Sequence, residues 1–370
     1  MTTGVAAAAE RYLALAVEAS AGPVPIVELV LGDPPAVETP RPYGELAAEA
    51  DALAGELEPA ATERAAYVAA HLHALAAACR AAAGEPAPFP RLVADLLGGV
   101  RATRVDEARF DEALAELDAL VPGTGELRDR VETWRRRRAL RSDRLVAVAH
   151  RLLAEARRRT AACVSLPDGD AVEVTVVRGR PWSASCTYLG GLRSRIELGA
   201  DEPPTFARLL DLVCHEGYPG HHVERVRLEL ERRPERRPVL TVGPSSVLSE
   251  GLASLAARLV FDEDDLRPLA REAGLSPEEA EEEVVEWRAA AILSRLRGVN
   301  SNAALLPPAE RADYLVRYGL RSPGRAARIA AWMDDPLHAA YTFAYPAGLS
   351  HVEALVARNG RDETLRLLLS

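Results

Sequence analysis

Residues 214–222 read CHEGYPGHH. A zinc-binding metallopeptidase helix carries HExxH, two histidines one turn apart with a glutamate beside the first. Here the fifth position of that pattern is Pro219, and the next histidines are His221 and His222. On an ideal helix of ~3.6 residues per turn, His215 and His221 would lie about 120° apart around the axis and roughly 9 Å apart along it. They could not share one ion. His222 returns to the right face but overshoots, at ~10.5 Å of rise. Pro219 changes this, because it has no N–H for the carbonyl of His215 and its ring clashes with that carbonyl. Gly220 supplies the backbone freedom that a bulge needs. With two residues looped out, His221 drops into the place of the second histidine of HExxH, and Glu216 faces the open position. His221 is the preferred second ligand. His222 stays open as an alternative, or as a group behind the ligands or facing the substrate.

The run into the motif, PTFARLLDLVCHEG, reads as a buried helix with Phe206, Leu209, Leu210, Leu212 and Val213 apolar. Polar groups at its end need partners, and a metal is one way to supply them. A catalytic zinc takes three protein ligands and leaves a fourth place for water. Glu224, Glu229 and Glu231 continue the same helix and read as solvated acids. Glu250, in PSSVLSEGLASLAARLVF, is the only acid between Glu235 and Asp262. Ala253, Ser254 and Ala257 flank its face and leave room for another helix. A lone carboxylate there needs a counter-charge, which a zinc with two histidines would provide. The competing reading is a glutamate near a helix N-terminus, stabilised by the dipole after Ser245 or Ser246.

At 370 residues, 48% apolar and 27% charged, the chain is about twice the usual single-domain length and typical of a globular protein. No apolar run approaches the ~20 residues of a membrane span. The N-terminus MTTGVAAAAERYLALA carries Glu10 and Arg11 inside its apolar stretch, a poor secretory signal and a good amphipathic helix. Cys79, Cys163, Cys186 and Cys214 show no CxxC spacing, so a cytoplasmic location is the simplest reading. The net charge of −10 argues against a nucleic-acid partner. There is no lysine, which excludes Schiff-base and P-loop lysine chemistry. Cys214, after an apolar run, reads as a small buried hydrophobe. His71 and His73, two apart on a helix, point to different faces.

Residues 1–165 form an N-terminal helical region by composition and spacing, and residues 166–370 a metallopeptidase-like catalytic region, within one continuous globule. RDRVETWRRRRALRSDRLVAVAHRLLAEARRR at 128–159 reads as one long helix. Its arginines read as a solvated face pairing with EARFDEALAELD rather than an anion-binding stripe. AVEVTVV alternates and is β-branched, and SASCTYLGGLRSRIELG reads as strand, Gly-Gly turn, strand. This is the one convincing β region, and its 193–198 strand is a candidate edge for an extended peptide. PEEAEEEVVEW at 277–287 reads as a solvated helix face.

HEGYPGHH followed by SEGLASL resembles bacterial domain-of-unknown-function family 885, whose pattern is HExxPGHH and then an E-G-W-A-like segment some tens of residues later. That family is grouped with the gluzincin-like metallopeptidases, in which two histidines and a downstream glutamate hold zinc. The likeness spans roughly residues 180–358. It implies a mainly α, large helical zincin-like fold with a small β-sheet or hairpin before the metal-binding helix. It implies Zn2+ held by His215, His221 and Glu250, with Glu216 as general base. The substrates would be short peptides. A donor must stabilise the oxyanion; Tyr345, Tyr341 and His351 are candidates, with Tyr345 preferred. The chain departs from the pattern in being shorter N-terminally, in EGLAS for E-G-W-A-L, and in AYTFAYPAGLSHVEAL near the end. Two other classes stay open: a metal-dependent hydrolase or transferase acting on a non-peptide substrate, and a non-catalytic member that binds a ligand.

Overall fold

In the computed structural model, which describes residues 2–57, 62–180 and 182–369, helices dominate and strands are few. The N-terminal helices follow from alanine and leucine content, the side chains that cost least in helix entropy. Helix Glu63–Ala82 starts at Thr62, whose hydroxyl accepts the Ala65 N–H at 3.2 Å, and it buries Leu72, Leu75 and the alanines between. It packs on helix Tyr43–Leu57. One apolar core joins these helices to later ones, with Leu53, Leu72, Leu75 and Phe110 meeting Val299, Leu315 and Phe343. A second core lies behind residues 214–222. It gathers Leu145 and Leu152, Ile196 and Leu198, Phe206, Leu210 and Val213, and Leu252 and Trp287.

Five strands occur among the described residues: β1 (Val27–Val30), β2 (Ala171–Val177), β3 (Ala184–Gly190), β4 (Arg193–Gly199) and β5 (Pro238–Leu240). The sheet ahead of the motif has the order β2–β4–β3, with β2 parallel and β3 antiparallel to β4. The β3–β4 turn runs through Gly190, Gly191 and Leu192, all at positive φ, which is why two glycines stand there. β4 is therefore the central strand, not an edge: it pairs along its length on both sides. Its alternation buries Ser194, Ile196 and Leu198 and carries no information on strand order. A second, unexpected sheet pairs β1 with β5 antiparallel. Strands of three and four residues are too short to show a period.

The stretch 128–159 is two helices, Leu127–Arg137 and Ser142–Cys163. The break occurs because Arg138 turns inward. Its guanidinium lies 3.8 Å over the Trp134 ring and bonds Glu286 at 2.6 Å and Glu283 at 3.2 Å. Arg130 does pair with Asp118 at 2.8 Å, but Arg135 and Arg138 turn to helix Pro277–Ser294. PEEAEEEVVEW is correspondingly not a solvated face throughout: Glu283 and Glu286 are each 1% exposed. The other oxygen of Glu283 accepts the Ala207 N–H at 2.7 Å. That places a carboxylate at the positive end of helix Phe206–Glu216, so the acidic cluster anchors the helix that carries His215. No helix among the described residues is long and apolar enough to cross a membrane.

His71 ties the two halves together. Its Nδ1–H donates to the Tyr67 carbonyl at 2.9 Å, which leaves Nε2 to accept from the Ser245 hydroxyl at 2.8 Å. Ser245 opens helix Pro244–Val260, the one bearing Glu250. Burial pushes the His71 pKa down to about 4, against a weaker opposing effect of the Tyr67 carbonyl. The unfolded chain, with a histidine pKa of about 6.5, takes up a proton that the folded chain refuses. Stability is thus whole above pH ~6.5 and falls as pH drops toward 4, at up to about 1.4 kcal/mol per pH unit. His71→Asn, which keeps hydrogen-bonding atoms but does not titrate, is expected to flatten that slope in urea denaturation followed between pH 7 and pH 4.

Candidate metal centre

Helix Phe206–Glu216 ends one residue after His215, and a second helix, His221–Glu231, begins with His221. The helix is thus interrupted over four residues rather than bulged by two. Pro219 forces the opening, and the Tyr218–Pro219 peptide is cis. Gly220 has φ −78° and ψ −138°, and its N–H bonds the Cys214 carbonyl at 3.0 Å. A Cβ there would lie 1.9 Å from the His215 carbonyl oxygen. Only glycine lets the chain cross so close to the helix it has just left.

The crossing brings the two imidazoles edge to face, with ring centroids 4.9 Å apart and an interplanar angle of 88°. Ligand atoms of His215, Glu216 and His221 lie within 4.8 Å of one another. Glu250 reaches the same place from helix Pro244–Val260. Its Oε2 is 3.7 Å from His215 Nε2 and its Oε1 is 3.7 Å from His221 Nε2. This helix lies backbone against backbone on helix Ala344–Asn359. A Cβ on Gly251 would stand 2.4 Å from the Gly348 carbonyl oxygen, and one on Gly348 2.0 Å from that of Val247. The close approach sets Tyr341 and Tyr345 beside Glu250. Tyr341 donates its hydroxyl to Glu250 Oε1, and the Tyr345 ring meets that of Tyr341 at 5.5 Å and 86°. His351 is exposed further along the same helix.

His222 faces the other way. It is fully buried, its Nδ1 is 2.8 Å from the Ser194 hydroxyl, and its Nε2 is 3.5 Å from Asp170. Asp170 in turn accepts from the Tyr218 hydroxyl at 2.5 Å and from Arg157 at 3.0 Å. This group pins the 217–220 crossing to the sheet. Glu224 is not a solvated acid: its Oε2 accepts from Ser249 and lies 3.7 Å from His221 Nδ1, and Ser249 is 3.2 Å from the same nitrogen. Such a partner behind an imidazole fixes its orientation. Glu229 accepts from the Tyr188 hydroxyl and the Gly191 and Leu192 N–H groups, holding the β3–β4 turn. The three-residue spacing of His221 and Glu224 is a signal the sequence did offer. Asp170 gives none, lying 52 residues before its histidine.

Electrostatically the centre favours a cation. Burial works to lower the His221 pKa, yet the hydrogen-bonded Glu224 and the Glu250 and Glu216 carboxylates raise it to about 9. Burial, and then the neighbouring His221, push His215 well below its usual value. Burial pushes the Glu216 carboxyl up to about 7, opposed by His221 and reinforced by Glu250. Glu250 Oε2 is buried without a hydrogen-bond partner among the described residues. A buried orphan carboxylate oxygen is costly, and here it lies 3.7 Å from His215 Nε2. Two nitrogens and carboxylate oxygens are the donor set zinc takes, so the residues fit that ion. Hollows of 370 and 670 Å3 beside Phe89 and Trp287 have no histidine in their walls, so the donor set rather than concavity marks the site.

No protein-family model and no curated protein matches the chain. Among solved structures, it is similar to a candidate lipoprotein from Colwellia psychrerythraea, with a TM-score of 0.55 and 14% identity over 90% of this chain. The chain spans 65% of the length of that protein. A candidate lipoprotein of unknown function from Shewanella oneidensis matches with a TM-score of 0.46 and 12% identity, over 89% of this chain and 73% of the other. A carboxypeptidase from Deinococcus radiodurans matches with a TM-score of 0.40 and 16% identity, over 100% of this chain and 89% of the other. At 14% identity, the first likeness speaks to the helical fold alone.

Gly220→Ala is expected to cost about 3 kcal/mol through overpacking and to weaken zinc binding at least tenfold, read by denaturation and chelator competition. Gly55→Ala, where no atom lies within 4 Å, should leave both unchanged or slightly raise stability.

Proposed function

We propose that the chain is a zinc-dependent peptidase with a gluzincin-like centre: His215, His221 and Glu250 hold the ion and Glu216 serves as general base. The observation that carries this reading is the orphaned Oε2 of buried Glu250, 3.7 Å from His215 Nε2. The resemblance of HEGYPGHH and SEGLASL to family 885 points the same way. When bound, zinc supplies Lewis acidity, acidifying water and polarising a carbonyl oxygen.

The remaining chemistry belongs to side chains of this protein. A carboxyl tuned to about 7 both accepts and releases a proton near neutral pH. Glu216 takes the proton from the attacking water at its carboxylate and delivers it to the leaving amine nitrogen. The Tyr341 hydroxyl is committed to Glu250. That leaves the Tyr345 hydroxyl as the donor for a developing oxyanion. Burial, then the nearby Glu250 charge, raise its pKa well above the usual value, so it stays protonated and able to donate. Because β4 is central, an extended peptide would add along the free side of β3, which packs near both helices of the motif. The four free cysteines support a reducing, cytoplasmic location in this reading.

Two substitutions test the assignment of roles. Glu216→Gln should keep about one zinc per chain by elemental analysis and lose 10²–10⁴-fold in peptide cleavage, the usual share of a general base. Glu250→Ala should lose zinc. Zinc lost from the first variant and kept by the second would exchange the two glutamates and overturn the reading.

A further inference from the structure

The four residues 217–220 lie between the two helices of the motif, and few bonds of their own backbone hold them. The Gly217 N–H reaches the Val213 carbonyl at 2.9 Å and the Gly220 N–H the Cys214 carbonyl at 3.0 Å, while Pro219 has no N–H to give. Further restraint comes from outside the segment, chiefly from one carboxylate. Asp170, the residue before β2, has a side chain only 1% exposed. Its Oδ2 accepts the Tyr218 hydroxyl at 2.5 Å and lies 3.5 Å from His222 Nε2. Tyr218 precedes Pro219 and His222 follows His221, so a single oxygen grips the crossing on both sides.

The other oxygen, Oδ1, accepts from Arg157 Nε at 3.0 Å, which ties the carboxylate to helix Ser142–Cys163. From β4, Ser194 bonds His222 Nδ1 at 2.8 Å, and the Tyr218 and His222 rings meet edge to face at 4.9 Å and 74°. Burial works to raise the Asp170 pKa, and the bonds from Arg157 and Tyr218 more than reverse it. The group therefore keeps its charge, and hydrogen bonds to a charged oxygen are the stronger kind. Glu224 and Ser249 fix how the His221 ring is turned, but not where its backbone sits relative to His215. Ligand positions in a metal site must hold to within about 0.5 Å, a demand that two backbone bonds over four residues do not meet alone.

We propose that Asp170 is a positioning residue for the candidate metal centre: by holding Tyr218 and His222 it fixes the separation of the His215 and His221 imidazoles, and with it the affinity for the ion. This rests on the reading of those two histidines as ligands, and not on peptides being the substrate.

Cobalt(II) is the probe, because its visible absorption reports the geometry of its ligands and competition with a chelator reports its affinity. Tyr218→Phe removes one hydroxyl and keeps the ring against His222, whereas Asp170→Ala removes the whole grip. Tyr318→Phe is the control, losing a like bond, to Glu107 at 3.1 Å, in the other apolar core. Asp170→Ala should bind cobalt roughly 10–100-fold more weakly, the usual loss behind a ligand, and with an altered absorption. Tyr218→Phe should move both readouts the same way by less, and should add nothing to Asp170→Ala, since both remove the same bond. Tyr318→Phe should lower the melting temperature of the metal-free protein and leave cobalt affinity and absorption unchanged. If Asp170→Ala does not fold, Tyr218→Phe carries the test. Variants at 170 and 218 that melt earlier but bind cobalt as the wild type does, with the same absorption, make Asp170 a purely structural residue and overturn the proposal while keeping the centre. A wild type that binds no cobalt overturns the metal centre itself, and the positioning role with it.

Discussion

A carbonyl and a glycine share a space too small for a methyl group, and the candidate metal centre depends on it. The chain leaves one helix at Glu216, turns through Pro219, and passes back over the carbonyls of Cys214 and His215 before starting the next helix. A Cβ on Gly220 would lie 1.9 Å from one of those oxygens. Because the crossing is so close, the first residue of the new helix faces the second-to-last residue of the old one. The same device recurs where Gly251 meets Gly348. Two backbone crossings therefore fix three chain segments around one point, and the distances among His215, His221 and Glu250 follow from them.

Much of this arrangement is legible in the sequence, and the parts that are not share a physical cause. Residue type and spacing reveal local demands: an apolar run that ends in His-Glu, a proline where a helix cannot continue, a lone acid on an apolar helix. They single out His215, Glu216, His221 and Glu250, whose side chains the fold brings near one another. They do not reveal what a side chain meets across the fold. Glu283 and Glu286 look solvated in a run of acids, and Arg135, Arg138 and the Ala207 N–H, all distant in sequence, make their burial tolerable. The steric need for glycine at 220 is not visible in the sequence, since the obstructing carbonyl appears only once the chain has turned. β4 alternates as an edge or a central strand would, and its position depends on β2, whose pairing register lies outside its own sequence.

The buried acids of helix Pro277–Ser294 serve the site from its far end. Glu283 accepts an N–H from the first turn of the helix whose last turn carries His215. A helix rises about 1.5 Å per residue, so a slip of one residue along its axis would move the imidazole by that much relative to Glu250. A carboxylate bonded at once to Arg138 and to the Ala207 N–H resists such a slip. Burying that carboxylate raises its pKa to about 7, partly offset by Arg138. The arginine must therefore be in place for the anchor to hold its charge, which is why Arg138 breaks its own helix to reach inward.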